Sequence, residues 1–114
     1  MDFSLTTDDL GRFVGILTDG HSEGMVTASN VPEAGFDLLA ALRSVQAEGY
    51  AECVWQEQGG EYRWMLRRDD DRVQIAVLWS TGTITGWEHV FRADCGVREF
   101  ASRVTRELGK HGIT

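Results

Sequence analysis

The sequence predicts an α+β domain built on an antiparallel sheet, and three observations predict it. Residues 50–57 and 61–68 alternate between polar and apolar side chains, and a Gly-Gly pair of the kind that favours tight hairpins separates them. Further alternating segments follow directly, so the strands are consecutive along the chain. Helical periodicity is confined to the stretches before and after these strands. We therefore expect a meander of about four strands, with helices from both ends of the chain packed on it.

The N-terminal segment, residues 6–20, is predicted to form the first helix. Its apolar residues repeat at helical spacing, and Asp8 and Asp9 suit the positive end of a helix. These apolar residues are Leu10, Phe13, Val14 and Leu17. The run at residues 25–28 fits either a fifth, edge strand or a loop.

A second helix is predicted to follow Asn30. Glu33 lies three residues on, which is capping-box spacing, and Pro32 is tolerated in a first turn. The helix should end near Gly49 and pack on the sheet through an apolar stripe. The stripe consists of Leu38, Leu39, Leu42 and Val45.

The Gly59-Gly60 pair is predicted to be the first hairpin turn, which places Trp55 opposite Trp64 on the buried face. A second hairpin through residues 69–72 then places Trp64 opposite Val77. All four tryptophans fit this one face, and we interpret them as core residues. They are Trp55, Trp64, Trp79 and Trp87.

A fourth strand around residues 85–92 should add Trp87 and Phe91 to the buried face. Val90 would then point away from them unless a bulge intervenes. Asp94 is predicted to cap the last helix, which Gly109 closes. The apolar stripe of this helix comprises Val97, Phe100, Ala101, Val104 and Leu108.

Length and charge limit the classes of function that the chain can have. The 114 residues fit one domain, residues 1–114, and the net charge of −7 repels nucleic acid and anionic lipid. No apolar run approaches the roughly 20 residues that span a bilayer. The amino terminus lacks the basic segment followed by an apolar segment that is typical of a signal peptide. We expect a cytoplasmic protein without a membrane partner. No phosphate-binding or zinc-ligand spacing occurs, so we expect no metal and no cofactor.

The first functional hypothesis is a non-catalytic protein-binding module for a basic partner protein. A concrete form is a bacterial immunity or chaperone-like protein that neutralises a cationic partner, such as a nuclease toxin, through electrostatic steering. Seven acidic residues would contact the partner: Asp8, Asp9, Glu23, Glu33, Asp69, Asp70 and Asp71.

The second face of the sheet mixes apolar and charged residues. Either the first helix covers it, or it is an interface for a partner or for a homodimer. The candidate interface residues are Val54, Met65, Leu78, Arg63 and Arg67.

The alternative function is a small-molecule binder or enzyme with a pocket at one end of the sheet. Trp87, His89 and Tyr62 would line this pocket, and His89 would be the catalytic base. The simpler interpretation of His89 is a hydrogen-bonded side chain at the sheet margin.

Overall fold

Two antiparallel sheets and two helices make up the fold. The structure is a computed structural model that describes residues 1–82 and 86–114. The first sheet contains β1 (Asp2–Thr7), β2 (Phe13–Thr18) and β3 (Glu23–Ala28), in that order, and α1 (Glu33–Glu48) follows it. The second sheet is the meander β4 (Tyr50–Glu57), β5 (Gly60–Asp69), β6 (Arg72–Ser80) and β7 (Glu88–Gly96), and α2 (Val97–Gly109) follows it. The predicted α+β class and four-stranded antiparallel meander are confirmed.

The predicted N-terminal helix is wrong, because a tight turn divides that segment into two strands. The Asp8 carboxylate accepts hydrogen bonds from the N–H groups of Leu10 at 3.0 Å and Arg12 at 2.9 Å. Gly11 adopts a φ of +79°. Asp and Gly favour such turns, so β1 ends here and Phe13 begins a new strand whose buried positions alternate. Leu10, which belongs to the predicted helical repeat, is 80% exposed.

The short run at residues 25–28 lies in β3, an outer strand of the separate three-stranded sheet. The fifth strand therefore belongs to a different sheet from the meander. Helix α1 ends at Gly49 as predicted, with a φ of +89°. The predicted capping box is wrong: Pro32 occupies the N-cap position, and the Asn30 side-chain oxygen accepts a hydrogen bond from the Gln56 N–H at 3.1 Å.

The loop between β4 and β5 is one residue earlier than predicted. Glu57 pairs with Gly60, so the two residues between them form the loop and Gly60 belongs to β5. A Cβ on Gly60 would overlap the backbone oxygen of Ser80 on the neighbouring strand. Gly60 is therefore required for close strand contact, whereas Gly59 takes the positive φ of the turn, +85°.

This shift moves the β4–β5 register by two residues. Trp55 lies opposite Tyr62, and Trp64 lies opposite Cys53, so the predicted tryptophan pair is wrong. Because side chains alternate with a period of two, every residue keeps its predicted face. The two indoles still touch diagonally, with ring centroids 5.2 Å apart. In the second hairpin, Trp64 lies opposite Val77 as predicted.

A bulge in β7 exchanges the faces to which the first residues of this strand point. Val77 pairs with Phe91 and Leu78 pairs with His89, which leaves Val90 as an extra residue. Phe91 is fully buried, while His89 is exposed on the opposite face. Simple alternation would place His89 on the buried face with Trp87 and Phe91, and this prediction is wrong because the extra residue Val90 turns His89 to the outer face.

Two of the four tryptophans depart from the predicted core. Trp87 is 43% exposed, and the guanidinium carbon of Arg63 lies 4.8 Å from its ring centroid. Trp79 is half-buried and packs on Tyr62, with ring centroids 4.6 Å apart. The predicted start of the fourth strand, residue 85, lies outside the described residues.

Helix α2 is confirmed, but its predicted cap is wrong. Asp94 lies within β7, where its carboxylate accepts a hydrogen bond from the Arg72 Nε at 2.9 Å. Gly96 takes the N-cap position, and Gly109 is the last helical residue. Of the predicted stripe, four residues are buried and Ala101 is half-buried. The buried residues are Val97, Phe100, Val104 and Leu108.

The three-stranded sheet and both helices pack around the inner face of the four-stranded sheet. Phe3 meets Trp64 edge-on at 6.0 Å, and Phe13 approaches Trp55 at 6.2 Å. Helix α1 packs mainly on β4, and α2 packs on β1. One hydrophobic cluster includes residues from every strand and both helices. Of the two alternatives for the outer face, cover by an N-terminal helix is wrong, because that segment forms strands.

Candidate binding site

The outer face of the four-stranded sheet mixes half-buried apolar residues with arginines. Strand pairing places Val54 beside Arg63 and Arg63 beside Leu78. The Arg63 guanidinium lies 3.4 Å from the Glu52 carboxylate and also covers the Trp87 ring. The structure brings all five predicted interface residues onto this face: Val54, Arg63, Met65, Arg67 and Leu78. A homodimer through this face remains a prediction.

The seven predicted acidic contact residues do not form one surface. Arg12 binds both the Asp8 and the Glu57 carboxylates, at 2.8 and 3.0 Å, which fixes the β1–β2 turn beside the start of β5. The second hairpin turn follows the other end of β5. Because β5 contains 10 residues, an extended strand of this length places the two turns about 30 Å apart. Asp8 and Asp9 lie in the first turn, Glu23 begins β3, Glu33 begins α1, and Asp69, Asp70 and Asp71 lie at the second hairpin turn.

Asp8 also has a structural function. The pKa of its carboxyl is lowered, chiefly because it accepts a hydrogen bond from the Arg12 backbone N–H. Its charge is therefore already paired with Arg12 within the chain.

The predicted small-molecule pocket is not formed by its three residues. Trp87 and His89 lie on the outer face, beside Arg63 and Leu78 respectively. Tyr62 lies on the inner face, opposite Trp55 and packed on Trp79. The bulge at Val90 produces this separation, so the sheet itself stands between His89 and Tyr62.

A groove of about 500 Å³ lies between α1 and the free edge of β4. On α1 its lining residues share one side of the helix, because residues 37, 40, 41, 44 and 48 follow helical spacing. On β4 the lining runs from Tyr50 to Val54. Asp37, Glu48 and Glu52 supply three carboxyl groups, and the described lining contains no lysine, arginine or histidine. The groove therefore has an acidic character that the outer face lacks.

Glu52 is held at the rim of the groove by two neighbours. The Tyr50 hydroxyl donates a hydrogen bond to the Glu52 carboxylate at 2.7 Å, and Arg63 approaches it from the outer face. The hydrogen bond to Glu52 is the main cause that raises the pKa of Tyr50. Glu52 thus connects the groove with the outer face, because its side chain belongs to both linings.

Cys53 lines the groove, and its buried thiol is poorly suited to nucleophilic attack. Burial raises the pKa of its thiol far above the usual value, and the negative charge of Asp37 adds to the effect. A thiol that stays protonated is neither a good nucleophile nor a metal ligand. Cys53 and Cys95 are both free and buried.

Asp37 and Glu48 are absent from the predicted site residues. A sequence signal for them does exist: two acidic residues eleven apart flank Ala40, Ala41 and Ser44 on one side of a helix. This side lies next to the apolar stripe, which dominates the helical pattern. Their relation to Glu52 depends on how α1 packs against β4, which periodicity does not specify.

Across residues 1–82 and 86–114, no group of three or more His, Cys, Asp or Glu residues is placed to hold a metal ion. Neither described helix has the length and apolar character needed to cross a bilayer. Comparison with known proteins finds no matching family model, no matching curated protein and no matching solved structure.

Proposed function

We propose that this chain is a non-catalytic protein-binding module that binds a basic partner protein at the groove between α1 and β4. The observation that carries the proposal is the concentration of Asp37, Glu48 and Glu52 around a groove of about 500 Å³ whose described lining has no cationic residue. Opposite charges across an interface favour encounter and orient the partner. The net charge of −7 extends this attraction beyond the groove.

The remaining acidic residues support steering rather than direct contact. Asp69, Asp70 and Asp71 lie in an exposed turn that Arg68 links to the end of α1, and they add to the negative field without lining the groove. An immunity or chaperone-like protein that neutralises a cationic partner, such as a nuclease toxin, is a concrete form of this proposal. The proposal needs no catalytic group.

The experiment that tests the proposal is affinity capture with a charge-reversed groove. The full chain, the double variant Asp37→Lys/Glu48→Lys and a matched double variant Asp70→Lys/Asp71→Lys are immobilised separately. Lysate of the source organism is passed over each at low and at high salt, and retained proteins are identified by mass spectrometry. Both variants change the net charge equally, so a difference between them reports on position.

We expect the unmodified chain to retain a basic protein, of isoelectric point above about 9, at low salt and to release it at high salt. The groove variant should lose this partner, while the turn variant should keep most of it. The proposal fails if no basic protein is retained at low salt. Loss of the partner from the turn variant alone would place the site at the second hairpin instead.

A further inference from the structure

Strand β4 has one edge that pairs with β5 and one edge that faces away from it. The Arg68 N–H donates to the Gly49 carbonyl at 2.8 Å, which shows that odd-numbered residues direct their backbone groups towards β5. The Ser29 N–H donates to the Gln56 carbonyl at 2.8 Å from the other side. In an antiparallel pair the two directions alternate along the strand. Even-numbered residues of β4 therefore direct their N–H and C=O groups outwards.

Only one end of this outward edge is covered. At Gln56 the carbonyl accepts from Ser29, and the N–H donates to the Asn30 side chain at 3.1 Å. The next three outward-facing residues are Tyr50, Glu52 and Val54. Among the described residues, no group hydrogen-bonds to their outward N–H or C=O atoms. Six backbone groups thus form an unpaired row about 15 Å long.

The edge of β1, unlike that of β4, is covered at Leu5. The Leu5 N–H donates to the Glu107 carboxylate at 3.0 Å, and the Nε2 of His111 lies 2.9 Å from the Leu5 carbonyl oxygen. Side chains from α2 and the residues after it thus close that edge against pairing with another chain. An open edge is a template for an added strand, and such strands recur in peptide recognition.

The groove beside β4 provides the space for an added strand. A new strand would lie about 4.8 Å from β4, between that strand and the facing side of α1. Ala40, Ala41 and Ser44 form this side of the helix, and their small side chains leave room for the side chains of the incoming segment. The unpaired backbone and the groove volume therefore coincide.

The carboxylates around the groove favour an added strand that carries basic side chains. Asp37 and Glu48 face the groove from α1, and Glu52 borders it from β4. If a second copy paired with β4 through the same edge, its equivalent carboxylates would lie close to these three. Like charges so placed oppose association. Lysine or arginine side chains on the added strand would meet carboxylates instead.

We infer that β4 binds an extended, basic segment of the partner protein as an added strand along Tyr50, Glu52 and Val54. This inference rests on the proposed function, and it specifies how the partner is held. Backbone hydrogen bonds to β4 hold the segment. Asp37 and Glu48 select basic side chains on the face of the segment that meets α1, and Glu52 selects them on the outer face. The segment ends at Gln56, where Ser29 and Asn30 already occupy the edge.

The test uses a capped peptide of alternating lysine and valine, Lys-Val-Lys-Val-Lys-Val-Lys, and the full chain labelled with ¹⁵N. Amide exchange is followed residue by residue with and without the peptide at about 0.15 M salt. At a peptide concentration ten times its Kd, exchange at Glu52 and Val54 should slow about tenfold. Exchange at Ala51 and Cys53, whose N–H groups already face β5, should not change. The matched control is the same peptide with its interior amides N-methylated, which keeps the charge but removes the donors.

The control peptide should bind at least about tenfold more weakly, because several backbone hydrogen bonds are lost. Equal binding by both peptides, or unchanged exchange at Glu52 and Val54, overturns strand addition but leaves the capture experiment to decide the proposed function. Failure of the parent peptide to bind also overturns the inference. Protection of Glu52 and Val54 that grows with chain concentration alone would overturn it too, since a second copy would then occupy the edge.

Discussion

The carboxylate of Glu107 accepts a hydrogen bond from the backbone N–H of Leu5 at 3.0 Å, across 102 positions of sequence. Glu107 is buried, and Lys110 neutralises it from the following turn. The pair ties the last helix to the first strand, and it satisfies a backbone donor that would otherwise be open. The contact therefore contributes both to stability and to the protection of that edge.

Replacing this carboxyl should change how stability depends on pH. The pKa of Glu107 is lowered below 4.5, first by the hydrogen bond from Lys110 and also by the one from Leu5. A lowered pKa in the folded state contributes stability above the unfolded value, and this contribution is lost as pH falls through the folded value. We expect Glu107→Gln to cost about 1–3 kcal/mol at pH 7 and less at pH 3. Urea unfolding across this range measures it, and a cost that is constant with pH would contradict the account.

The buried indoles should contribute packing rather than hydrogen bonding. In the described part of the chain, the Nε1 atoms of Trp55 and Trp64 have no hydrogen-bond partner. Trp64→Phe therefore removes no hydrogen bond and should cost about 1–3 kcal/mol. Trp64→Ala leaves a cavity beside Phe3 and should cost about 3–5 kcal/mol. Denaturant unfolding of both variants tests this, and equal losses would show that the ring itself is not what stabilises the core.

Two glycines should respond oppositely to alanine. At Gly60 the new Cβ overlaps the Ser80 carbonyl oxygen and the Trp79 ring, so Gly60→Ala should cost about 1–3 kcal/mol. At Gly109, the last residue of α2, no atom outside the local helix lies within 4 Å of the added Cβ. Gly109→Ala should stabilise the chain by up to about 1 kcal/mol. Thermal unfolding of the pair provides the comparison, and a tolerated Gly60→Ala would refute the close strand contact.

Both thiols should be unreactive while the chain is folded. Burial is the main cause that raises the pKa of Cys53, and it raises that of Cys95 as well. Because the thiolate is the reactive form, labelling by a disulfide reagent at pH 8 should be slow in the native state. In urea both residues should react at the rate of free cysteine. Rapid native labelling of Cys53 would mean that the bottom of the groove opens to solvent.

Strong local patterns explain what the sequence predicted correctly. The alternating residues of the second hairpin, the apolar stripe of α2 and the end of α1 at Gly49 are all properties of short segments. Residues 13–17 fit two periods at once, since Phe13 and Leu17 are four apart on a helix and on the same side of a strand. Asp8 and Gly11 decide between the two by turning the chain.

The candidate site was harder to predict because it depends on relations between elements. The bulge that moves His89 to the outer face is one extra residue whose position only the pairing with β6 defines. The groove exists because α1 packs against β4 while leaving the strand's free edge uncovered. Neither the position of Asp37 beside that groove nor the direction of the β4 backbone groups is visible in a residue pattern.

Amide hydrogen exchange of the free chain tests the open edge of β4 most directly. Glu52 and Val54 direct their N–H groups to solvent, whereas Ala51 and Cys53 donate to β5. We predict fast exchange at the even-numbered positions and strong protection at the odd-numbered ones, in strict alternation from residue 51 to residue 54. Equal protection at all four positions in a dilute, monomeric sample would contradict the account, because the edge would then be covered.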